Sequence, residues 1–254
     1  MKDELALRFR TFIKPILEWF LQLESWLAIR WVSSAHRRLM AIQWGYPPQP
    51  EHFDHNIDLF YQWLDTRNSL WVERGAFGGL ALLGGKVLEL SCGDGFNTRN
   101  FYSLRSKSIV ACDFDPKAIE TCRQKNSAPN VKFILADIRT HMPEGKYENI
   151  VWDAAIEHFT ESEIEKIVKD IKLRLAENGI VIGHTLIEKT DGSKYLSHHE
   201  YEFKNKEDLL RFFAPHFKNV TVFETIYPSR HNLYFWASDG NLPFMKDWPY
   251  SINK

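Results

Sequence analysis

Residues 86–98 read Lys-Val-Leu-Glu-Leu-Ser-Cys-Gly-Asp-Gly-Phe-Asn-Thr, a short apolar run that breaks into small residues with Gly93 and Gly95 two apart. The run Val87 to Leu90 suits a strand buried on both faces. Asn97 or Thr98 is expected to cap the helix that follows. A strand that hands a glycine turn to a helix N-terminus makes a binding corner. Glycines admit a ligand to the backbone, and the first helical N–H groups point outward. Gly-x-Gly turns are common, so the meaning of this one depends on its surroundings.

From Lys86 onward, strand and helix patterns alternate, which is the order of a parallel sheet covered on both faces. Strands are expected at Ser108–Cys112, Val131–Leu135, Tyr147–Trp152 and Ile180–Leu186. Asp115-Pro116 caps and starts a helix running to about Asn126, with proline at its first position. Thr160-Glu-Ser-Glu163 is a capping box. The stripe Ile164, Ile167, Val168, Ile171 and Leu175 follows it, and Asn178-Gly179 is read as the helix stop. A last helix at about 205–213 precedes the runs Asn219–Thr225 and Asn232–Ala237, which are close enough to pair antiparallel.

An acid stands at or near the end of four successive strands: Glu89, Asp113, Asp137 and Asp153. Ligands of open parallel sheets sit beyond that edge. Carboxylates grouped there repel one another, so a ligand rich in donors or bearing positive charge is expected. Asp113 lies 20 residues after Gly93, the separation at which an acid in such folds receives ribose hydroxyls. Taken singly, any of these acids reads as a helix cap or a solvated loop residue; four in register argue otherwise.

Residues 86–186 resemble a class I S-adenosylmethionine-dependent methyltransferase. The resemblance is carried by Glu89-Leu-Ser-Cys-Gly-Asp-Gly95, Val110-Ala-Cys-Asp-Phe-Asp-Pro-Lys-Ala118, Ala136-Asp137 and Asp153-Ala-Ala-Ile-Glu-His158. With the closing antiparallel pair it extends over residues 86–238. It implies an α/β, Rossmann-like sheet of seven mostly parallel strands with a C-terminal antiparallel hairpin. It also implies S-adenosyl-L-methionine as cofactor. Glu89 would lie under the methionine end, with Gly93 and Gly95 giving close backbone approach. Asp113 would accept the ribose hydroxyls, Phe114 would pack on the adenine, and Asp137 with Ile138 would meet its amino group and ring. Trp152 or Asp153 would border the methionine portion. Ser91 stands where the family often has glycine. A dinucleotide-dependent oxidoreductase is the rival for such a corner, but the third glycine of its fingerprint is here Thr98.

Ahead of this domain, 51–254, residues 1–50 are expected to form a helical extension. Leu5, Phe9, Phe12, Ile13, Ile16, Phe20, Leu23, Leu27 and Trp31 follow helical spacing, and Pro15 is expected to kink or divide the helix. Six of the nine tryptophans lie within the first 71 residues. Three readings of residues 1–45 stand open: a cap on the core domain, a homodimer face, or an interfacial helix on a membrane. Gly45-Tyr-Pro-Pro-Gln-Pro50 reads as the connector, residues 52–74 as a second amphipathic helix, and Gly75 to Gly85 as a glycine-punctuated approach to the first strand.

A net charge of −1 and the lack of a basic tract argue against a nucleic-acid acceptor. With three cysteines and no signal-like or membrane-spanning segment, a cytoplasmic protein is expected, peripheral to a membrane if the first helix docks there. No Cys-x-x-Cys or His-x-x-x-His unit is present, so no metal site is expected. A sulfonium methyl is already electrophilic, and a hydroxyl acceptor needs a base, most naturally histidine. The candidates are His158, His184 and the pair His198-His199 in the loop 187–204, with Tyr195, Tyr201 and Arg230 as pocket residues. The expectation is methyl transfer to a small-molecule or glycan acceptor, at oxygen. The alternative is a catalytically inactive cofactor-binding protein that serves as an assembly partner.

Overall fold

The computed structural model describes residues 2–45, 52–55, 57, 67, 69–228 and 230–245, with the backbone alone for 2–12. The chain divides into two compact units, Met1–Asp58 and Leu59–Lys254. In the first, α1 (Lys2–Gln43) is one 42-residue helix with Pro15 inside it, so of the two expectations there, a kink or a division, the chain is not divided. Its middle carries exposed Trp19, Phe20, Trp26, Ile29 and Trp31. The sequence-expected helix over 52–74 and most of the connector before it lie largely outside the described residues.

In the second unit, strands β1 (Lys86–Leu90), β2 (Ser108–Asp113), β3 (Val131–Leu135), β4 (Tyr147–Asp153), β5 (Leu175–Leu186), β6 (Asn219–Tyr227) and β7 (Arg230–Ser238) form one sheet. Their order is β3-β2-β1-β4-β5-β7-β6. The first five are parallel, and β7 runs antiparallel to both β5 and β6. The order reverses between β1 and β4, the position at which open sheets of this kind take their ligands. Successive residues of β1 feed opposite faces. Leu88 and Leu90 join a core with Ile164, Ile167, Val168 and Ile171 of α4 (Glu161–Arg174) and Leu209, Phe212 and Phe213 of α5 (Lys206–Phe213). Val87 joins Ala81 of α2 (Leu70–Ala81), Tyr102, and Ile119 and Cys122 of α3 (Pro116–Lys125). Complete burial of the α4 stripe stabilises the fold by roughly 1.5–3 kcal/mol per side chain.

The local signals behave as expected at α3, where the Asp115 side chain accepts the Lys117 N–H, and at α4, where the capping box closes. Three elements differ. The glycines 75, 78 and 79 lie inside α2 rather than in a connector, because α2 packs closely on the following turn. A Cβ on Gly75 would fall 2.1 Å from the Phe101 ring, and one on Gly78 2.8 Å from Tyr102. The helix after the glycine turn starts at Phe96, whose N–H is taken by Asp94 Oδ1 at 3.1 Å. Asn97 and Thr98 therefore sit within it, and Thr98–Tyr102 winds as a π-helix. Finally, α4 stops at Arg174, before Asn178-Gly179. Arg174 donates to the Pro143 and Met142 carbonyls, Lys146 Nζ donates to those of Leu173 and Leu175, and Leu175 already pairs with Tyr147.

Candidate active site

The glycine turn leaves β1 through left-handed backbone at Ser91 (φ 55°), Gly93 (55°) and Gly95 (77°). Asp113, the last residue of β2, braces it. Its Oδ2 accepts the Gly93 N–H at 2.9 Å, and its Oδ1 accepts the Asp115 N–H at 2.9 Å. Burial raises the Asp113 pKa, an effect partly offset by these backbone donors. The two glycines differ in surroundings. A Cβ on Gly95 would press against Cys122 Sγ and the Phe133 ring at 3.0 Å, whereas one on Gly93 would meet nothing within 4 Å. Gly93 borders open space and Gly95 a packed wall.

Behind the turn lies a buried polar network. Thr98 Oγ1 donates to Glu89 Oε2 at 2.6 Å, and burial pushes the Glu89 carboxyl up to about 8. Asn97 Nδ2 donates to Asp153 Oδ2 at 2.9 Å. Arg74, reaching from α2, grips the same carboxylate with Nη2 at 2.7 Å and Nε at 3.1 Å. Burial acts to lower the Arg74 pKa, but the Asp153 charge and hydrogen bonds outweigh it, and the net shift is upward. His184 on β5 sits 3.7 Å from Asp153 by Nδ1, and its pKa is held well down by burial and by the charges of Arg74 and Arg230.

On the β2–β3 side, Phe114 is 64% exposed and lies beneath the Arg139 guanidinium, 5.8 Å from its ring centre. Arg139 also binds both Asp137 oxygens, by Nη2 at 2.7 Å and Nε at 2.9 Å, and lowers the Asp137 pKa. Ile138 and Trp152 are buried in the core, and the Trp152 Nε1 has no hydrogen-bond partner.

Beyond β4 and β5 the histidines converge. His158 stacks on His198 with ring centres 4.9 Å apart and lies edge-on to His199 at 4.8 Å. His198 is exposed and His199 buried. The loop carrying both is tied down by Glu200 and Tyr201, whose N–H groups donate to the Glu157 carbonyl at 2.8 and 3.1 Å. His184 is not part of this cluster, since its Nε2 meets Asn232 Oδ1 at 3.3 Å.

This sheet order, with a glycine turn on β1, an acid ending β2 and a closing antiparallel pair, also matches known proteins. Residues 87–179 match a family model described as a methyltransferase domain. Over 157 residues the chain is 26% identical to malonyl-[acyl-carrier protein] O-methyltransferase of Bacillus cereus, a match covering 56% of this chain and 58% of that protein. The solved DhpI–SAH complex aligns with a TM-score of 0.55 at 17% identity, over 82% of this chain and 95% of that one. Residues 87–179 are thus a methyltransferase domain, and the matches together indicate a class I S-adenosylmethionine-dependent methyltransferase.

S-adenosylmethionine is the cofactor of this methyltransferase family, and the edge of the sheet fits it. Open space lies over Gly93, and a large aromatic face is presented at Phe114. The structure brings Glu89, Ser91, Gly93, Gly95 and Asp113 together around one turn, with Phe114, Asp137 and Ile138 on the next strand ends. It also shows partners that no local pattern in the sequence marks: Arg74 on Asp153, Arg139 on Asp137 and Phe114, and Glu202 on His199. Glu157, beside the histidines, does carry such a signal in the motif that ends at His158.

Proposed function

We propose that the chain transfers the methyl group of S-adenosylmethionine to an oxygen of a small-molecule or glycan acceptor. The carrying observation is the cluster of His158, His198 and His199 beyond β4 and β5, at the same edge of the sheet as the glycine turn. In this reading Gly93 and Gly95 receive the cofactor backbone-close, Asp113 takes the ribose hydroxyls, and Phe114 and Ile138 flank the adenine. When bound, the cofactor supplies an electrophilic sulfonium methyl. The protein's share is to exclude water, hold the acceptor in line and remove its proton. His198 serves as base. It is the exposed member of the cluster, and burial together with the neighbouring His158 and His199 lowers its pKa, which keeps its ring neutral and able to accept. Arg230, half-buried on β7 with its guanidinium 5.8 Å from the Tyr195 ring, lines the acceptor side with Tyr195.

The relatives' names point to both oxygen and nitrogen acceptors. Beside the O-methyltransferase stands (S)-coclaurine N-methyltransferase of Thalictrum flavum, 28% identical over 116 residues, which cover 44% of this chain and 32% of that protein. A base is needed for a hydroxyl, and the histidine cluster favours oxygen. Turnover of methyl-labelled cofactor across a panel of hydroxyl, carboxylate and amine acceptors tests this. Transfer to an oxygen that falls at least tenfold in His198→Ala supports it. Transfer only to amines, or cofactor binding with no transfer to any acceptor, rejects it.

A membrane contact through residues 1–45 is favoured by one observation, the exposure of Trp19, Trp26 and Trp31 at 57, 50 and 78%. No helix among the described residues is long and apolar enough to cross a membrane. A helix lying in the interface is the form such a contact takes. Full-length protein is expected to sediment with anionic vesicles, and a Trp19/Trp26/Trp31→Ser variant is expected to stay in solution.

A further inference from the structure

Glu157, His158 and His199 each offer one donor atom within 4.8 Å of the others, with Glu157 and His199 buried and His158 half-buried. They come from two segments: the turn after β4 and the loop between β5 and α5. Two of them, Glu157 and His199, are held in a way that leaves each a ligating atom. Thr185 Oγ1 donates to Glu157 Oε2 at 3.0 Å, and a carboxylate held through one oxygen keeps lone pairs for an ion. His199 meets the Glu202 carboxylate through Nδ1, which fixes Nδ1–H as donor and leaves the Nε2 lone pair to ligate. Glu202 is itself pinned by the Tyr195 N–H at 2.7 Å, and its buried Oε2 has no hydrogen-bond partner. A carboxylate behind an imidazole is the arrangement that orients histidine toward a metal.

We propose that Glu157, His158 and His199 bind a divalent transition-metal ion, with Glu202 orienting His199. The donor set is one carboxylate and two imidazoles. That set suits zinc and its borderline neighbours, and leaves positions open for an exogenous ligand. Magnesium and calcium prefer all-oxygen shells. Donors on bonds of about 2.1 Å stand about 3.4 Å apart in a tetrahedral site, so the three converge by about an ångström on binding. The ion rests on the proposed function only for its use: an acceptor oxygen in its open position would lose its proton more readily.

The test uses metal-stripped full-length protein titrated with Zn2+ by calorimetry and with Co2+ by visible absorption. One equivalent of each is expected to bind, with cobalt d–d bands. Glu157→Gln and His199→Ala should each weaken binding at least tenfold, and Glu202→Gln by roughly 10–100-fold. S-adenosylmethionine affinity and the unfolding midpoint of each variant report whether it is folded. No stoichiometric ion on the wild type, or unchanged affinity in folded Glu157→Gln and His199→Ala, overturns the site. Oxygen methylation that continues undiminished in chelator removes the ion from the reaction while leaving the proposed function. A bound ion without any methyl transfer does the opposite.

Discussion

Arg74 and Asp153 are 79 residues apart in sequence, yet the guanidinium holds both carboxylate oxygens, by Nη2 at 2.7 Å and Nε at 3.1 Å. The pair joins α2 to the tip of β4, and Asn97 joins the glycine-turn helix to the same carboxylate. Both side chains are about nine-tenths buried, so solvent screens the pair little. Removing one partner strands a buried charge, at a cost of roughly 3–5 kcal/mol. Asp153→Ala is therefore expected to lower the urea midpoint sharply. Arg74→Met combined with Asp153→Ala should cost less than the sum of the two single changes. Additive losses would mean that the pair is not coupled.

The acids at the strand ends are each answered within the protein. Thr98 serves Glu89, two backbone N–H groups serve Asp113, Arg139 serves Asp137, and Arg74 serves Asp153. Their grouping thus does not by itself require a cationic ligand, contrary to the inference from repulsion alone.

Glu89 makes stability depend on pH in an unusual direction. Its folded-state pKa, about 8, lies above the ordinary 4.5 because burial disfavours the charge. Between these values the unfolded chain has released a proton that the folded chain still holds. Stability should accordingly fall as pH rises from about 4.5 to about 8. The span corresponds to several kcal/mol in order of magnitude. Glu89→Gln keeps the shape without the titration, and is expected to flatten this slope and to be the more stable form at pH 8. Denaturant unfolding at a series of pH values measures both.

The sheet from β1 to β7 was legible because its signals are local. Buried strands read as unbroken apolar runs, and Asp115-Pro116 and Thr160–Glu163 announce helix starts with their own side chains. What was not legible depends on partners distant in sequence. Gly75 and Gly78 look like breakers until Phe101 and Tyr102 are seen against them. Asn97 and Thr98 have the chemistry of caps, but Asp153 and Glu89 claim their side chains. The Glu157–His199 grouping spans two segments, so no contiguous metal motif marks it.

The two glycines of the turn should separate cofactor binding from folding. Gly93→Ala places a methyl in open space on left-handed backbone, which costs roughly 1–2 kcal/mol of stability, and it intrudes where the cofactor is proposed to lie. Gly95→Ala carries the same backbone cost and adds compression against Cys122 and Phe133 at 3.0 Å. Gly93→Ala is expected to show the larger loss of S-adenosylmethionine affinity by calorimetry, and Gly95→Ala the larger fall in melting temperature. The reverse order would place the cofactor elsewhere along the turn.

Asp113 has two duties in this reading, and substitution can divide them. Asp113→Ala removes the acceptor for the Gly93 and Asp115 N–H groups, so it should weaken the turn as well as the ribose contact. Unmet amide groups cost roughly 1–3 kcal/mol each when buried. Asp113→Asn keeps the shape and one oxygen to brace the turn, but loses the charge that strengthens a hydroxyl's hydrogen bond. A bond to a charged acceptor contributes roughly 1.5–3 kcal/mol, so cofactor affinity in Asp113→Asn should drop about 10–100-fold, with a smaller loss of stability than in Asp113→Ala. If affinity instead follows stability through both variants, Asp113 acts on the cofactor only by bracing Gly93, and the ribose contact falls to another group.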